Sequence, residues 1–336
     1  MKNMKKKLTA LLLAGLVAAT AGCGSTTSSS TAASGTESAA AETGDKTYTI
    51  GICQLVQHTA LDAATQGFRD AVTDALGDSV TFVEQNASGD SANCVTICNG
   101  FVADGVDLIM ANATPALQAA VTATNEIPIL GTSVTDYGSA LDISDWTGAT
   151  GMNVSGTSDL APLDGQAAMI QELFPDAKTV GILYCSGEAN SVYQVEQITP
   201  LIEAEGYTVK AYSFADSNDV STVTSTACGE CDVLYIPTDN TAASCTEAIA
   251  NVVLNEKVPV VAGESGICTG CGVATLSIDY YNLGVETGKM AVEILTEGAD
   301  VSTMQVRFAP EFTKQYNAAN CELLGITVPD GYVAAE

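Results

Sequence analysis

The chain has very little positive charge. Its 336 residues carry 12 lysines and arginines against 40 aspartates and glutamates, a formal net charge of −28. Four of those lysines, Lys2, Lys5, Lys6 and Lys7, stand at the very start. What remains offers no basic footprint to displace counterions from phosphates, which argues against nucleic acid as a partner. It offers no polybasic grip on anionic lipid either. Histidine is almost absent: His58 is the only one. One histidine in an early loop makes a Ser/His/Asp set implausible, and a cysteine nucleophile such as Cys53 or Cys185 would want a base. Neither a G-x-x-x-x-G-K-[ST] nor a G-x-G-x-x-G phosphate loop occurs. These gaps point away from an enzyme and from a bound cofactor. Aromatic residues make up 6% of the chain and Trp146 is the only tryptophan, which disfavours a sugar held by ring stacking.

Cysteine, by contrast, is plentiful, at 11 residues. Cys94 and Cys98 lie four apart, on one face of an expected helix. Cys228/Cys231 and Cys268/Cys271 are two C-x-x-C pairs, a spacing that can hold zinc. Both pairs fall in or beside expected strands, so a metal site is not the preferred reading. Disulfides are open to an exported protein. Cys53, Cys94, Cys98, Cys231 and Cys245 sit within apolar patterns and read as small buried side chains.

At 46% hydrophobic and 15% charged, the chain is globular and long enough for two domains with full cores. Residues 1–22 read as a targeting segment, with a lysine-rich start and an apolar run from Leu8 to Ala21 that is short for a membrane span. Thr20-Ala-Gly-Cys23 resembles a bacterial lipobox, which implies cleavage before Cys23 and a lipid on its sulfur. Residues 23–46, rich in Ser, Thr, Ala, Gly and Glu, then form a flexible tether.

From Thr47 onward, apolar runs alternate with helical patterns. Strands are expected at 48–52, 80–85, 106–111 and 127–132, and again at 179–183, 207–214, 231–237 and 258–263. The two sets correspond at a nearly constant offset: Gly51 with Gly181, Asp90 with Asp219, Asp107 with Asp232, Pro128 with Pro259. A repeated strand–loop–helix plan gives an α/β fold of two doubly wound, Rossmann-like lobes. The polar stretch 150–162 reads as a first crossover. Segments 274–280 and 304–308 suggest further ones, and so a multi-stranded hinge. Lobe 1 then comprises 47–155 plus about 276–303, and lobe 2 comprises 156–275 plus about 304–336. Each core looks self-contained, so the expected state is a monomer.

Five stretches carry a family resemblance: IGICQLVQHTALDAATQGF, GDSANCVTICNGFVADGVDLIMANATPALQAA, GILYCSGEANSVYQV, YIPTDNTAAS and ATLSIDYYNLGVETGKMA. They resemble the substrate-binding lipoproteins of ABC transporters of the tryptophan/tyrosine type, over roughly residues 48–330. The resemblance implies the type I periplasmic-binding-protein fold. It implies capture without catalysis of a small molecule, an aromatic amino acid, in an interlobe cleft. It also implies delivery to an ABC permease from an extracytoplasmic position on the membrane, anchored through Cys23. The chain departs from the family pattern at Gly263-Glu264-Ser265, where relatives carry an aspartate–glutamate pair. Another amino acid or small metabolite as ligand, or a sensor for a signalling partner, are the alternatives.

Ligands of such folds bind beyond the carboxyl ends of the strands, which selects the candidate residues. An amino-acid carboxylate needs donors, and neither Arg69 nor Arg307 falls in a cleft loop. The start of a helix suits an anion, so Asn112 and Thr114, before the helix at Pro115, are the best candidates. Ser133 and Thr135 follow the next strand. The ammonium needs a carboxylate or carbonyls: Glu188, Asp239, Glu264 and Asp279 all end strands or open loops. Asp239, followed by Asn240, is the strongest of these and matches the family motif. Ser158, Asn190 and Ser191 add hydrogen bonds. Gln54 and His58, in the first loop, stand near Leu55 and Val56, which with Tyr193 and Tyr280 could wall the ligand side chain. Helix capping is the competing role for the polar members.

Overall fold

A computed structural model of the protein describes residues 46–335. The segment expected to be a targeting signal, Cys23 and all but the end of the expected tether lie outside the described residues. In chain order, lobe 1 opens with β1 (Tyr48–Gln54), α1 (Thr59–Leu76), β2 (Val80–Asn86) and α2 (Ser91–Asp104). It continues with β3 (Leu108–Asn112), α3 (Thr114–Ala123), β4 (Ile129–Val134), α4 (Tyr137–Ala140) and β5 (Val154–Ser158). Lobe 2 follows with α5 (Leu163–Leu173), β6 (Thr179–Cys185), α6 (Ala189–Ala204), β7 (Thr208–Phe214), α7 (Val220–Cys228) and β8 (Val233–Ile236). It goes on through α8 (Asn240–Ser244), α9 (Thr246–Glu256), β9 (Val260–Ala262), α10 (Ser265–Gly270) and β10 (Ala274–Ser277). The chain then runs through α11 (Tyr280–Val292), β11 (Arg307–Phe308), β12 (Thr313–Tyr316), α12 (Ala318–Leu324) and β13 (Val333–Ala334).

Pairing divides these strands into two sheets, ordered β2-β1-β3-β4-β5-β11 and β7-β6-β8-β9-β10-β12-β13. The first sheet is parallel throughout. In the second only β12 runs antiparallel to its neighbour β10. The first five strands of each lobe share one order, so the sequence repeat is a structural one. Every residue of β3 and of β8 is buried, as expected of central parallel strands covered on both faces. Each sheet separates two apolar cores. In lobe 1 one core holds Phe101 and Leu117, and the other Phe68, Met110 and Met290. One pair of repeated aspartates ties the strands in the same way in both lobes. Asp107 accepts the N–H of Thr49 at 2.7 Å, and Asp232 that of Thr179 at 2.9 Å. The other pair diverges: Asp90 caps α2 through Ala92, whereas Asp219 precedes α7 without a side-chain cap.

Two boundaries differ from the sequence reading. The polar stretch expected as a crossover contains β5, which pairs with β4, so lobe 1 runs on to Ser158 and not 155. All five residues, Val-Ser-Gly-Thr-Ser, are buried. They escaped notice because small polar side chains fill the space: Thr157 Oγ1 bonds Thr132 and Thr287 at 3.2 and 2.8 Å. At Gly156, with φ +143°, a side chain would strike the backbone of Gly131 and the Tyr137 hydroxyl. Likewise β11, assigned by sequence to lobe 2, pairs with β5 in lobe 1. Arg307 holds it there through Glu286 on α11 at 2.6 Å and Glu293 at 2.7 Å. Three chain passages therefore connect the sheets, at 159–162, 278–279 and 309–312.

The ten cysteines of the described residues are free thiols. Cys53, Cys94, Cys98 and Cys231 are buried as expected, but Cys245 is only half-buried. Among the described residues no three His, Cys, Asp or Glu side chains gather to hold a metal. Trp146 stacks on Tyr137, with ring centroids 6.2 Å apart. None of the described helices is long and apolar enough to cross a membrane.

Candidate functional site

The carboxyl ends of both sheets face each other across a cleft. Near the switch points, between β1 and β3 and between β6 and β8, it holds a cavity of about 290 Å³. Small-molecule sites start at roughly 300 Å³. Lobe 1 lends an apolar wall, Leu55, Val56 and Pro115. Lobe 2 lends Cys185, Glu188, Asn240 and Thr241. Tyr193, expected as a further wall, lies instead beside Trp146 and Asp136 at a separate recess.

In lobe 2 the carboxylates are already engaged. Glu188 lies before α6, but its carboxylate caps α8: Oε2 accepts from Asn240 N and Nδ2, and Oε1 from Thr241 N and Oγ1. Asp239 is the N-cap of α8. Its Oδ1 accepts from Ala242 N at 2.8 Å, its Oδ2 from Cys185 N at 2.6 Å, and Ser191 supports it. Glu264 caps α10 through Gly266 and Ile267. Asp279 caps α11 through Asn282 and is exposed. Asp239, Glu264 and Asp279 thus each cap a helix, the role that competed in the sequence reading with binding of an amine. The reading of Gln54 is corrected: its amide is spent inside lobe 1 on Val56 O, Asp62 and Thr65. Ser158 is likewise committed, to Thr135 O and Leu160 N.

The equivalent place in lobe 1 is different. The N-cap of α3 is Ala113, which has no capping side chain and stands at φ +90°. Beside it, Thr114 Oγ1, Ser133 Oγ and Asn112 Oδ1 are buried without any hydrogen-bond partner in the protein. Asn112 Nδ2 is taken by Leu61 O and Thr65. Ser133 also holds a left-handed φ of +54°, strain of the kind that persists at binding sites. A helix start without a side-chain cap and two free hydroxyls form a receptor for an anion.

Next to that receptor lies a residue the sequence reading missed. Asp159, in the first passage between lobes, is buried. Thr135 Oγ1 donates to its Oδ1 at 3.1 Å and Tyr280 Oη to its Oδ2 at 3.0 Å. Burial pushes its carboxyl up to about 6. Burial pushes Glu264 up to about 7, and burial with the Glu188 charge pushes Asp239 to about 7. The ion pairs of the described residues include none of these groups. Asp239 and Glu264 are satisfied by backbone N–H groups, which leaves Asp159 as the buried acid that favours a cationic guest. Asp159 was hidden because its stretch read as a linker. Once β5 is a strand, Asp159 obeys the same end-of-strand rule as the others.

Across the cleft, His58 Nε2 meets Asn240 Oδ1 at 3.3 Å, and Gln194 Nε2 meets Thr135 Oγ1 at 3.5 Å. Gln194, also missed, bonds Asn190 O and both polar atoms of the Thr238 backbone. Asn190 Nδ2 bonds Glu188, Ser191 and Thr238 O, while its Oδ1 is buried and unpartnered. Of the candidates, His58, Asn112, Thr114, Ser133 and Asn190 thus bring unpaired polar atoms to the lobe–lobe face.

Residues 49–335 match the family described as ABC transporter substrate binding protein. The chain belongs to that family. The binding protein is 38% identical over 264 residues to the tyrosine-binding protein of Clostridioides difficile strain R20291, covering 78% of this chain and 76% of that one. It resembles the structure of a Streptococcus pneumonia ABC domain in complex with L-Trp, with a TM-score of 0.82 at 31% identity. That match covers 86% of this chain and all of the other. Against the ligand-free, open structure of a Clostridium difficile substrate binding protein with adhesive properties, the TM-score is 0.65 at 37% identity, with the same coverage. The better superposition thus goes with the lower identity. In the binding protein itself two hydrogen bonds join the lobes across the cleft, His58 to Asn240 and Gln194 to Thr135.

Proposed function

We propose that this substrate-binding protein captures an aromatic amino acid between its lobes and releases it, unchanged, to an ABC permease. The ligand carboxylate sits on the start of α3 with Thr114 and Ser133. The ammonium sits by Asp159, and the ring lies toward Leu55, Val56 and Pro115. The observation that carries this reading is an uncapped helix start and a buried acid held at the same end of β4, where Ala113 N–H bonds Thr132 O and Asp159 N–H bonds Val134 O. An α-amino acid offers the matching pair of opposite charges. The tyrosine-binding and L-Trp-bound relatives support the aromatic class.

The protein works outside the cytoplasm as a monomer, tethered to the membrane by a lipid on Cys23. Replacing Cys23 with alanine should release it into the medium. Ligand class is tested by thermal shift on the purified full chain, stripped of co-purified ligand by partial unfolding. Binding adds about 2.7 kcal/mol at one hundred times the dissociation constant. A rise in melting temperature confined to aromatic amino acids is expected. A rise with sugars or nucleosides alone would overturn the assignment.

A further inference from the structure

The two ends of the assigned site differ in their access to solvent. The groups assigned to the ligand's charged end are enclosed: Thr114 is 2% exposed, Ser133 6% and Asp159 3%. The cavity along the ring wall is graded instead. Its inner part is lined by Leu55, Pro115, Cys185 and Glu188, all buried. Its outer part is lined by Ser88, Ser91, Asp216, Ser217 and Ser244, all exposed. Ser88 and Ser91 come from the turn between β2 and α2, and Asp216 and Ser217 from the loop after β7. Among the described residues no aromatic side chain lines the cavity, so nothing bulky closes its outer part. A cavity of about 150 Å³ is enough to hold a benzene ring. This one, at about 290 Å³, leaves room beyond a ring for several further atoms.

Charge sets a second condition on what enters that room. Glu188 and Asp216 line the cavity, and among the described residues no lysine or arginine does. Asp216 Oδ1 accepts from Asn218 N and Nδ2 at 2.8 and 2.9 Å, which holds the carboxylate in its loop. The start of α2 beside Ser91, a place that suits an anion, is already taken by the Asp90 carboxylate. We propose that the site admits aromatic amino acids lengthened at the far edge of the ring by a neutral or cationic group, which lies in the outer part of the cavity, and turns away those lengthened by an anion. This rests on the aromatic amino-acid reading and extends its substrate class. Additions at the amino or carboxyl group are excluded, because Thr114, Ser133 and Asp159 leave that end no exposed side.

The test is a calorimetric panel on the full chain, stripped of co-purified ligand. Its members are tyrosine, O-methyltyrosine, para-aminomethylphenylalanine, O-phosphotyrosine and N-acetyltyrosine. Tyrosine, its methyl ether and the aminomethyl compound should bind within roughly fivefold of one another. O-phosphotyrosine should bind at least roughly tenfold more weakly, repelled by Glu188 and Asp216. N-acetyltyrosine should lose at least roughly tenfold, since its neutral amide no longer answers Asp159. These measurements need no variant, so they hold whether or not a substituted protein folds. Ser217→Trp then fills the outer part of the cavity from an exposed position. It should weaken the aminomethyl compound roughly tenfold relative to tyrosine. Asp216→Asn should narrow the gap between O-phosphotyrosine and tyrosine. Failure of the methyl and aminomethyl compounds while tyrosine binds overturns the proposal alone. So does O-phosphotyrosine at the affinity of tyrosine, or an unchanged ratio in Ser217→Trp. Binding of no aromatic amino acid overturns it together with the aromatic reading.

Discussion

His58 Nε2 on lobe 1 lies 3.3 Å from Asn240 Oδ1 on lobe 2, and this hydrogen bond spans the mouth of the cleft. Glu188 orients the amide that receives it. Asn240→Ala removes the link and takes the three hydrogen bonds at Glu188 Oε2, from Asn240 N, Asn240 Nδ2 and Asn190 Nδ2, down to two. Affinity for every amino-acid ligand should fall roughly fivefold to tenfold. Small-angle scattering should show a larger open fraction at subsaturating ligand. Unchanged affinity and an unchanged scattering profile would mean the bond contributes nothing to closure.

Ser133 should separate binding from stability. Its hydroxyl is buried and unpaired, and its φ of +54° suits glycine. Ser133→Gly should raise the stability of the ligand-free protein by roughly 0.5–1 kcal/mol, because strain and an unsatisfied group both disappear. The same change should weaken amino-acid binding by roughly tenfold or more, the worth of a hydrogen bond to a carboxylate. Chemical denaturation and calorimetry on one preparation check both signs. A destabilised variant with full affinity would refute the assignment.

The buried acids impose opposite pH trends on stability and on binding. Asp159 at about 6, and Asp239 and Glu264 at about 7, lie above their unfolded values. The folded state therefore holds more protons between about pH 4 and 7 than the unfolded state does. Their contribution is fully present below about pH 4 and is lost as pH rises through 6 to 7. His58, shifted downward, opposes them with one proton: its contribution is lost as pH falls below 6.5. With three groups against one, the ligand-free melting temperature should be higher at pH 5 than at pH 8. Binding of an ammonium needs Asp159 ionised, so affinity should fall as pH drops below about 6. Asp159→Asn should flatten that fall, and a profile identical to the parent's would remove Asp159 from the site.

Asp239→Ala should act on the fold first. The variant loses the cap of α8 and leaves the N–H of Cys185 unpaired. Cap removal costs about 0.5–2 kcal/mol and a stranded buried donor about 1–3. Relief of repulsion with Glu188 offsets part of this, so a net loss of about 2 kcal/mol is expected. Denaturant unfolding should show it with or without ligand. A variant of parental stability that fails to bind would restore Asp239 as a direct ligand group.

Periodicity and repetition are local in the chain, and they were legible there. The paired positions Gly51 and Gly181, or Asp107 and Asp232, carry two α/β lobes, their strand ends, and the stretches where a ligand could sit. Among the candidates, the start of α3, Thr114, Ser133 and His58 could be read because a helix signal and a loop mark them locally. The partition of polar atoms between fold and ligand was not local, and only the tertiary structure decided it. Asp239 and Glu264 carry the same carboxyl chemistry as Asp159. Backbone N–H groups of neighbouring turns converge on the first two, while only hydroxyls reach the third. Nor could the sequence place β5 and β11 in lobe 1, since Thr157 is buried by partners 25 and 130 residues away. A side chain's type says what it can bond; which atoms are left over for a ligand depends on what the folded chain brings within 3 Å of them.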